Sequence, residues 1–373
     1  MLNRTKALLL TALGMSLFTA GCGISGGSGA EGNSPAPSHS DITILPNPEN
    51  TSYGTTTVEP LVRIEGVRGS EWLSDDLLVV SKENPDGQPV TVEGTEYRPL
   101  NLYAHTVSTG EEEALSPGPE NQGYALANPG RRLIFYKTFD WQSNTGTGYV
   151  MDLQTRKSVR ITEKDELELT NGVWLDERTI LYSSMDGRLI SVSADGMDRK
   201  QWPDPKASML GNLSAQGGKI YYTTPPGLLL ASDIGSGERN VVGKNVVWAA
   251  PSAAGEKLGI VNRIKSGTME LYVTDADGGN RRSIAQDNQI FGVAWNEAGD
   301  RLAYSAIEPS GTTKGVYVAD PLAGTSVTLP IDIKYIADAP RWSPSGDRLM
   351  ITDTLIGNDR SKPAFVTYLA AAQ

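Results

Sequence analysis

The chain has 373 residues, 21% of them charged, a formal net charge of −11 and a pI near 4.9. That acidity argues against nucleic acid as a partner and against polybasic attraction to anionic lipid. One cysteine excludes an internal disulfide, and two histidines cannot build a His/Cys metal set, so the fold is held by its core alone and no metal or cofactor is expected.

Arg4 and Lys6 open the chain on positive charge, an apolar run follows from Ala7 to Phe18, and Thr19-Ala20-Gly21 leads into Cys22. The run is too short to span a bilayer, which takes about 20 apolar residues, and has the form of a signal peptide. Leu17 to Gly23 resembles a bacterial lipobox, with Thr19 where such boxes more often carry leucine. The resemblance implies cleavage after residue 21 and lipidation of Cys22, with several acyl chains on that residue. Loss of Arg4 and Lys6 then takes the charge from −11 to −13. The expected location is extracytoplasmic, with the protein anchored by lipid in a bacterial cell envelope. Residues 22–52 are dominated by Gly, Ser, Pro, Asn and Ala, and read as the lipidated cysteine followed by a disordered stalk. Gly23-Ile24-Ser25-Gly26-Gly27 matches a nucleophile-elbow pattern, but such a stalk offers no strand-turn-helix to strain the serine.

Residues 53–373 contain no second linker and repeat one unit. Ala294 to Leu302 and Arg341 to Leu349 are its clearest copies: a strand ending in Trp, a turn carrying Gly-Asp, then a second apolar strand. The Trp position is occupied by Trp72, Leu126, Trp174, Leu213, Pro251, Trp295 and Trp342. Units of about 40–50 residues are the size of four-stranded propeller blades. Asn101 to Ala104, Tyr149 to Asp152, Leu228 to Asp233, Leu271 to Asp275 and Val316 to Asp320 supply a third strand. Asp195-Gly196 and Asp275 to Gly278 read as hairpin turns rather than calcium loops. The prediction is all-β: a single seven-bladed propeller of four-stranded blades.

Ring closure is also predicted. The last unit ends after a third strand near Phe365 to Leu369, while Val58 to Ile64 forms a strand without a partner of its own. Pro60 precedes Trp72 by the same interval as Pro330 precedes Trp342. The N-terminal strand should therefore complete the last blade and cover an open edge.

Trp342-Ser343-Pro344-Ser345-Gly346-Asp347-Arg348-Leu349 resembles the WD40-like (PD40) repeats of TolB-type propellers. The likeness covers about Val58 to Gln373 and is sharp in two units. TolB itself, as that family is known, has six blades and a separate α/β domain, so its partners do not carry over to seven units and a stalk. Oligogalacturonate lyases are propellers with similar repeats whose metal site, by family knowledge, uses several histidines. Only His105 lies in the body of this chain, expected as a partly exposed polar residue, and that likeness is set aside.

The repeated tryptophans read as packing between blades. Trp141 lies off the template, with Phe139 and Asp140, between the second and third strands of blade 2, where a loop aromatic can anchor a partner. The second-to-third-strand loops emerge on one face. They read as long at Lys82 to Pro99, Lys137 to Gly148, Asn262 to Thr268, Ile307 to Gly315 and Thr354 to Pro363, and as tight in blades 3 and 4. The expected function is a monomeric, non-catalytic binding scaffold for a protein, peptide or envelope glycan, with Trp141, Phe139 and Asp140 as binding residues. The rivals are a carboxylate-dependent hydrolase or lyase working in the channel, and a structural factor for envelope assembly.

Overall fold

The computed structural model describes residues 61–372 apart from 93, 141–144, 204–209 and 357–362. Cys22, Trp141 and the Gly-x-Ser-x-Gly match lie outside them. The described residues contain strands and no helix, arranged as seven four-stranded antiparallel blades. The inner strands are Arg68–Ser74, Asn121–Ala127, Val173–Trp174, Gly211–Gln216, Val246–Pro251, Gln289–Trp295 and Arg341–Trp342. All seven residues predicted at the Trp position fall on them.

The reason the repeat is legible lies in the junctions. Seven apolar clusters fill the seven spaces between blades. Val79, Leu102, Ala125, Ile134 and Met151, for instance, pack between blades 1 and 2. The second and third strands of each blade offer apolar side chains to a neighbour on either side, which produces the Val-, Ile-, Leu- and Tyr-rich runs, whereas outer strands such as Glu112–Ala114 are exposed.

Four template tryptophans add a bond to this packing. Trp72, Trp174, Trp295 and Trp342 donate their indole N–H to the carbonyls of Arg341, Leu126, Ala250 and Ala294 on the preceding inner strand, at 3.1, 3.0, 3.0 and 2.9 Å. The burial is thus combined with a satisfied polar group. Leu126, Leu213 and Pro251 cannot make the bond. At the junction of blades 4 and 5, Asn212 donates to the Val247 carbonyl at 2.7 Å instead.

Closure is as predicted in kind. Val62–Glu65 pairs antiparallel with Pro363–Ala371 and completes blade 7. The strand follows Pro60, however, whereas the outer strand of blade 6, Thr325–Thr328, precedes Pro330. The proline intervals are therefore not equivalent, and only Gly66 and Val67 link the closing strand to blade 1.

Some of the expected loops are partly strand. Lys82 to Pro99 contains its own hairpin, Val90–Val92 with Thr95–Tyr97. In blade 2 the strands run to Phe139 and resume at Thr145, and in blade 5 they run from Lys257–Lys265 into Thr268–Asp275. In blade 1 the connection between Glu83 and Leu100 remains long. The second and third strands of blade 3 have five residues each and join through a tight turn, as expected. His105 also departs from expectation: it is 7% exposed and its Nδ1 lies 3.2 Å from Glu112.

Candidate functional site

The residues predicted as binding lead to a cluster at the mouth of the channel. Phe139 is the last residue of the second strand of blade 2 and is half-buried, and Asp140 follows it, exposed. The Phe139 carbonyl accepts from Asn121 Nδ2 at 3.2 Å, and its ring meets Tyr124 edge-on, with centroids 5.7 Å apart.

Tyr124 is the unusual residue. The inner strand of blade 2 bulges between Gly123 and Leu126, and Tyr124 has φ of 55°. The bulges of blades 4 and 6 place Asn212 and Gly292 in the same left-handed region, residue types that enter it readily. An aromatic residue there costs on the order of 1 kcal/mol or more and persists only where the surroundings enforce it.

Arg68 supplies part of that enforcement. It opens the inner strand of blade 1 and is 7% exposed. Its guanidinium forms a two-pronged bond to Asp338, at 2.7 and 2.6 Å, and a 3.3 Å bond to the Tyr124 hydroxyl. It also lies 4.5 Å from the Tyr124 ring centroid and 5.4 Å from that of Phe365. Burial opposes its charge, but Asp338 and Tyr124 outweigh that and hold its pKa above the ordinary value. Burial in turn raises the Tyr124 hydroxyl.

The segment carrying Asp338 is itself fixed. Asp353 accepts from the Tyr335 and Lys334 amides at 2.8 and 3.4 Å, and the Ala337 amide donates to the Thr352 carbonyl at 2.8 Å. Below Arg68, the Gly69 amide donates to Thr367 Oγ1 at 2.8 Å, and that hydroxyl donates to the Val67 carbonyl at 3.0 Å. A Cβ at Gly69 would stand 2.5 Å from Met350 Sδ, so a larger residue there would force the Met350 side chain to shift.

Lys137 completes the cluster from blade 2. It is 2% exposed, donates to the Leu169 carbonyl at 2.7 Å, and its ammonium lies 5.1 and 5.6 Å from the rings of Phe135 and Tyr124. Burial, reinforced by Arg341 and Arg68 and opposed by Glu168, pushes its pKa down to about 7. Deeper in the channel, Arg341 bonds Glu71 at 3.3 Å, and Glu71 also accepts the Trp72 amide at 2.9 Å. Cations and carboxylates from blades 7, 1 and 2 thus surround one strained tyrosine. The aromatic edges of Tyr124, Phe139 and Phe365 remain half-buried.

No protein-family profile matches this sequence, and no curated protein matches it. Solved structures do. An oligogalacturonate lyase in complex with manganese aligns with a TM-score of 0.62 at 13% identity, over 86% of this chain and 95% of that one. The likeness is one of fold. A second oligogalacturonate lyase, from Vibrio parahaemolyticus, aligns at 0.59 and 12% identity over 84% and 94% of the two chains. TolB from Acinetobacter baumannii aligns at 0.48 and 15% identity, over 63% of this chain and 61% of that one. The likeness to oligogalacturonate lyases, set aside on the histidine count, therefore holds for the fold.

Among the described residues it does not extend to a set of metal ligands. No group of three or more His, Cys, Asp or Glu side chains among them could hold an ion. Asp338 and Glu71 are each engaged by an arginine, and the buried Lys137 cation stands beside them. Manganese does not fit this donor set.

Of the residues expected to bind, Phe139 lies against Tyr124, whereas Arg68, Tyr124, Lys137 and Asp338 were not singled out from the sequence as binding residues. Lys137 had left a signal: it is a lone charge in the apolar strand Leu133-Ile134-Phe135-Tyr136-Lys137-Thr138-Phe139. Asp338 left none, being 270 residues from Arg68.

Proposed function

We propose that this chain is a lipid-anchored, extracytoplasmic binding scaffold that holds a protein, peptide or envelope glycan at the channel mouth formed by blades 7, 1 and 2. The observation that carries the reading is Tyr124: a bulky residue held at positive φ, backed by Arg68 and edged by Phe139. Strain kept where glycine or asparagine would relieve it points to use of the ring. Half-buried aromatics fixed by their neighbours are the usual anchors of a binding surface, because little rotamer freedom is lost on contact. The signal-like N-terminus and Cys22 support the tether.

A photo-crosslinking residue in place of Phe139 tests the site in intact cells. A discrete adduct is expected there, and none from the same residue in place of Met197, an exposed turn residue on the opposite face. Adducts from the Met197 position alone would move the site to that face. Cys22→Ser should abolish incorporation of labelled fatty acid, and persisting label would overturn the anchor.

A second reading is a lyase acting on an acidic glycan, favoured by the shared fold and by a buried lysine titrating near neutrality beside two arginines. Incubation with polyuronate separates the two readings. Formation of an unsaturated, ultraviolet-absorbing product that Lys137→Met abolishes would establish the enzyme.

A further inference from the structure

The outer strands of the blades present unpaired backbone groups to solvent, and six of the seven are guarded by charge. Val62–Glu65 carries Arg63 and Glu65, Glu112–Ala114 carries two glutamates, and Ser158–Arg160 ends on Arg160. Arg199–Gln201, Arg239–Gly243 and Arg282–Asp287 each begin on arginine. Charged side chains on an edge are a common device against strand-to-strand association. The outer strand of blade 6 carries no charge of its own, and Arg282 of blade 5 reaches only the turn before it, bonding the Leu322 carbonyl. Thr325-Ser326-Val327-Thr328 is uncharged and exposed at every position, and no charged residue occurs from Pro321 to Ile331. Val327 is 55% exposed, and Leu322, in the turn leading into the strand, is 79% exposed.

We infer that this edge pairs with the same edge of a second copy of the chain, joining two blade-6 sheets about a twofold axis. The sequence is suited to itself. Antiparallel pairing centred between Ser326 and Val327 sets Thr325 opposite Thr328 of the other copy and Ser326 opposite Val327. Threonine pairs across strands are favourable, and no like charges meet within the four residues. A twofold contact of this kind uses one patch twice and closes without forming a filament. Gly324 and Pro330 bracket the strand, so the ladder is short and the dimer weak. Two acidic bodies also repel, so added salt tightens the contact rather than loosening it. The monomer expected from sequence is thus the dilute species.

Sedimentation of the full chain carrying Cys22→Ser, from micromolar to about 1 mM, tests this in a range where contacts below standard size still show. Concentration-dependent dimer is expected. Val327→Lys should weaken association at least tenfold, while Val241→Lys, on the outer strand of blade 4 and likewise 52% exposed at the native valine, should leave it unchanged. Both sites are exposed, so neither variant threatens folding. A sample that stays monomeric throughout, or a dimer that Val327→Lys does not weaken, overturns the proposal.

Discussion

Lys137 shows how a single side chain couples the channel mouth to solution conditions. Its folded pKa of about 7 lies below the ordinary lysine value of 10.5. Between those values the unfolded chain binds more protons than the folded one. The burial penalty is therefore complete below about pH 7 and is relieved as pH rises toward the unfolded value. Lys137→Met should be more stable than the parent at pH 6–7, by on the order of a few kcal/mol, with the advantage shrinking by pH 9. Denaturant titrations of both proteins at the two pH values check this, and a constant difference would show that Lys137 does not titrate there. Removal of the Asp338 carboxylate should instead lower stability, because it pairs the buried Arg68. Asp338→Asn leaves the Arg68 charge buried without its counterion and should cost about 3 kcal/mol, whereas Arg68→Met with Asp338→Leu should cost less than the two single changes summed.

At the scale of elements, the blade junctions are not equivalent. Four carry an indole bond from the template tryptophan to the previous inner strand, while Leu126, Leu213 and Pro251 leave three without one. Trp342→Phe preserves most of the packing but leaves the Ala294 carbonyl short of a donor, a loss of about 1–3 kcal/mol. Leu213→Phe at an unlatched junction removes no such bond, so any cost there is overpacking alone. Comparison of the Trp342→Phe and Trp295→Phe melting curves should give similar shifts, since both bonds share one geometry. The second-to-third-strand connections also belong to this scale, because paired strand can take the place of an expected loop. Lys257–Lys265 paired with Thr268–Asp275 is the plainest case.

For the whole molecule, closure is the decisive contact. The four-residue strand Val62–Glu65 joins the beginning of the body to its last blade, and Gly66 continues the ladder with a 2.9 Å bond to the Phe365 carbonyl. Arg68 and Asp338 lock the same seam from the channel side. Removal of residues 23–47 should leave the melting temperature nearly unchanged, because that stretch is mostly Gly, Ser, Pro, Asn and other small or polar residues, with Ile24, Ile42, Ile44 and Leu45 as its large apolar side chains. Extending the deletion through Glu65 should lower it severely by exposing the edge of Pro363–Ala371. Equal melting of the two truncations would refute the shared blade.

Blade number, strand order within a blade and the fact of closure could be read from the amino-acid sequence. Each blade is a local meander whose inner strand must repeat the same apolar and tryptophan positions to pack on its neighbours, so the pattern recurs along the chain. The channel mouth could not be read in that way. Arg68, Tyr124, Lys137 and Asp338 come from three blades that meet only when the ring shuts, and the positive φ of Tyr124 depends on a bulge that no residue type announces. Loop length in blade 5 was overestimated for a related reason. Alternating polar and apolar residues at the ends of a hairpin look like turn sequence until pairing with the opposite strand decides how far the ladder runs. Local repetition determined the fold, and contacts across the closing seam decided the site.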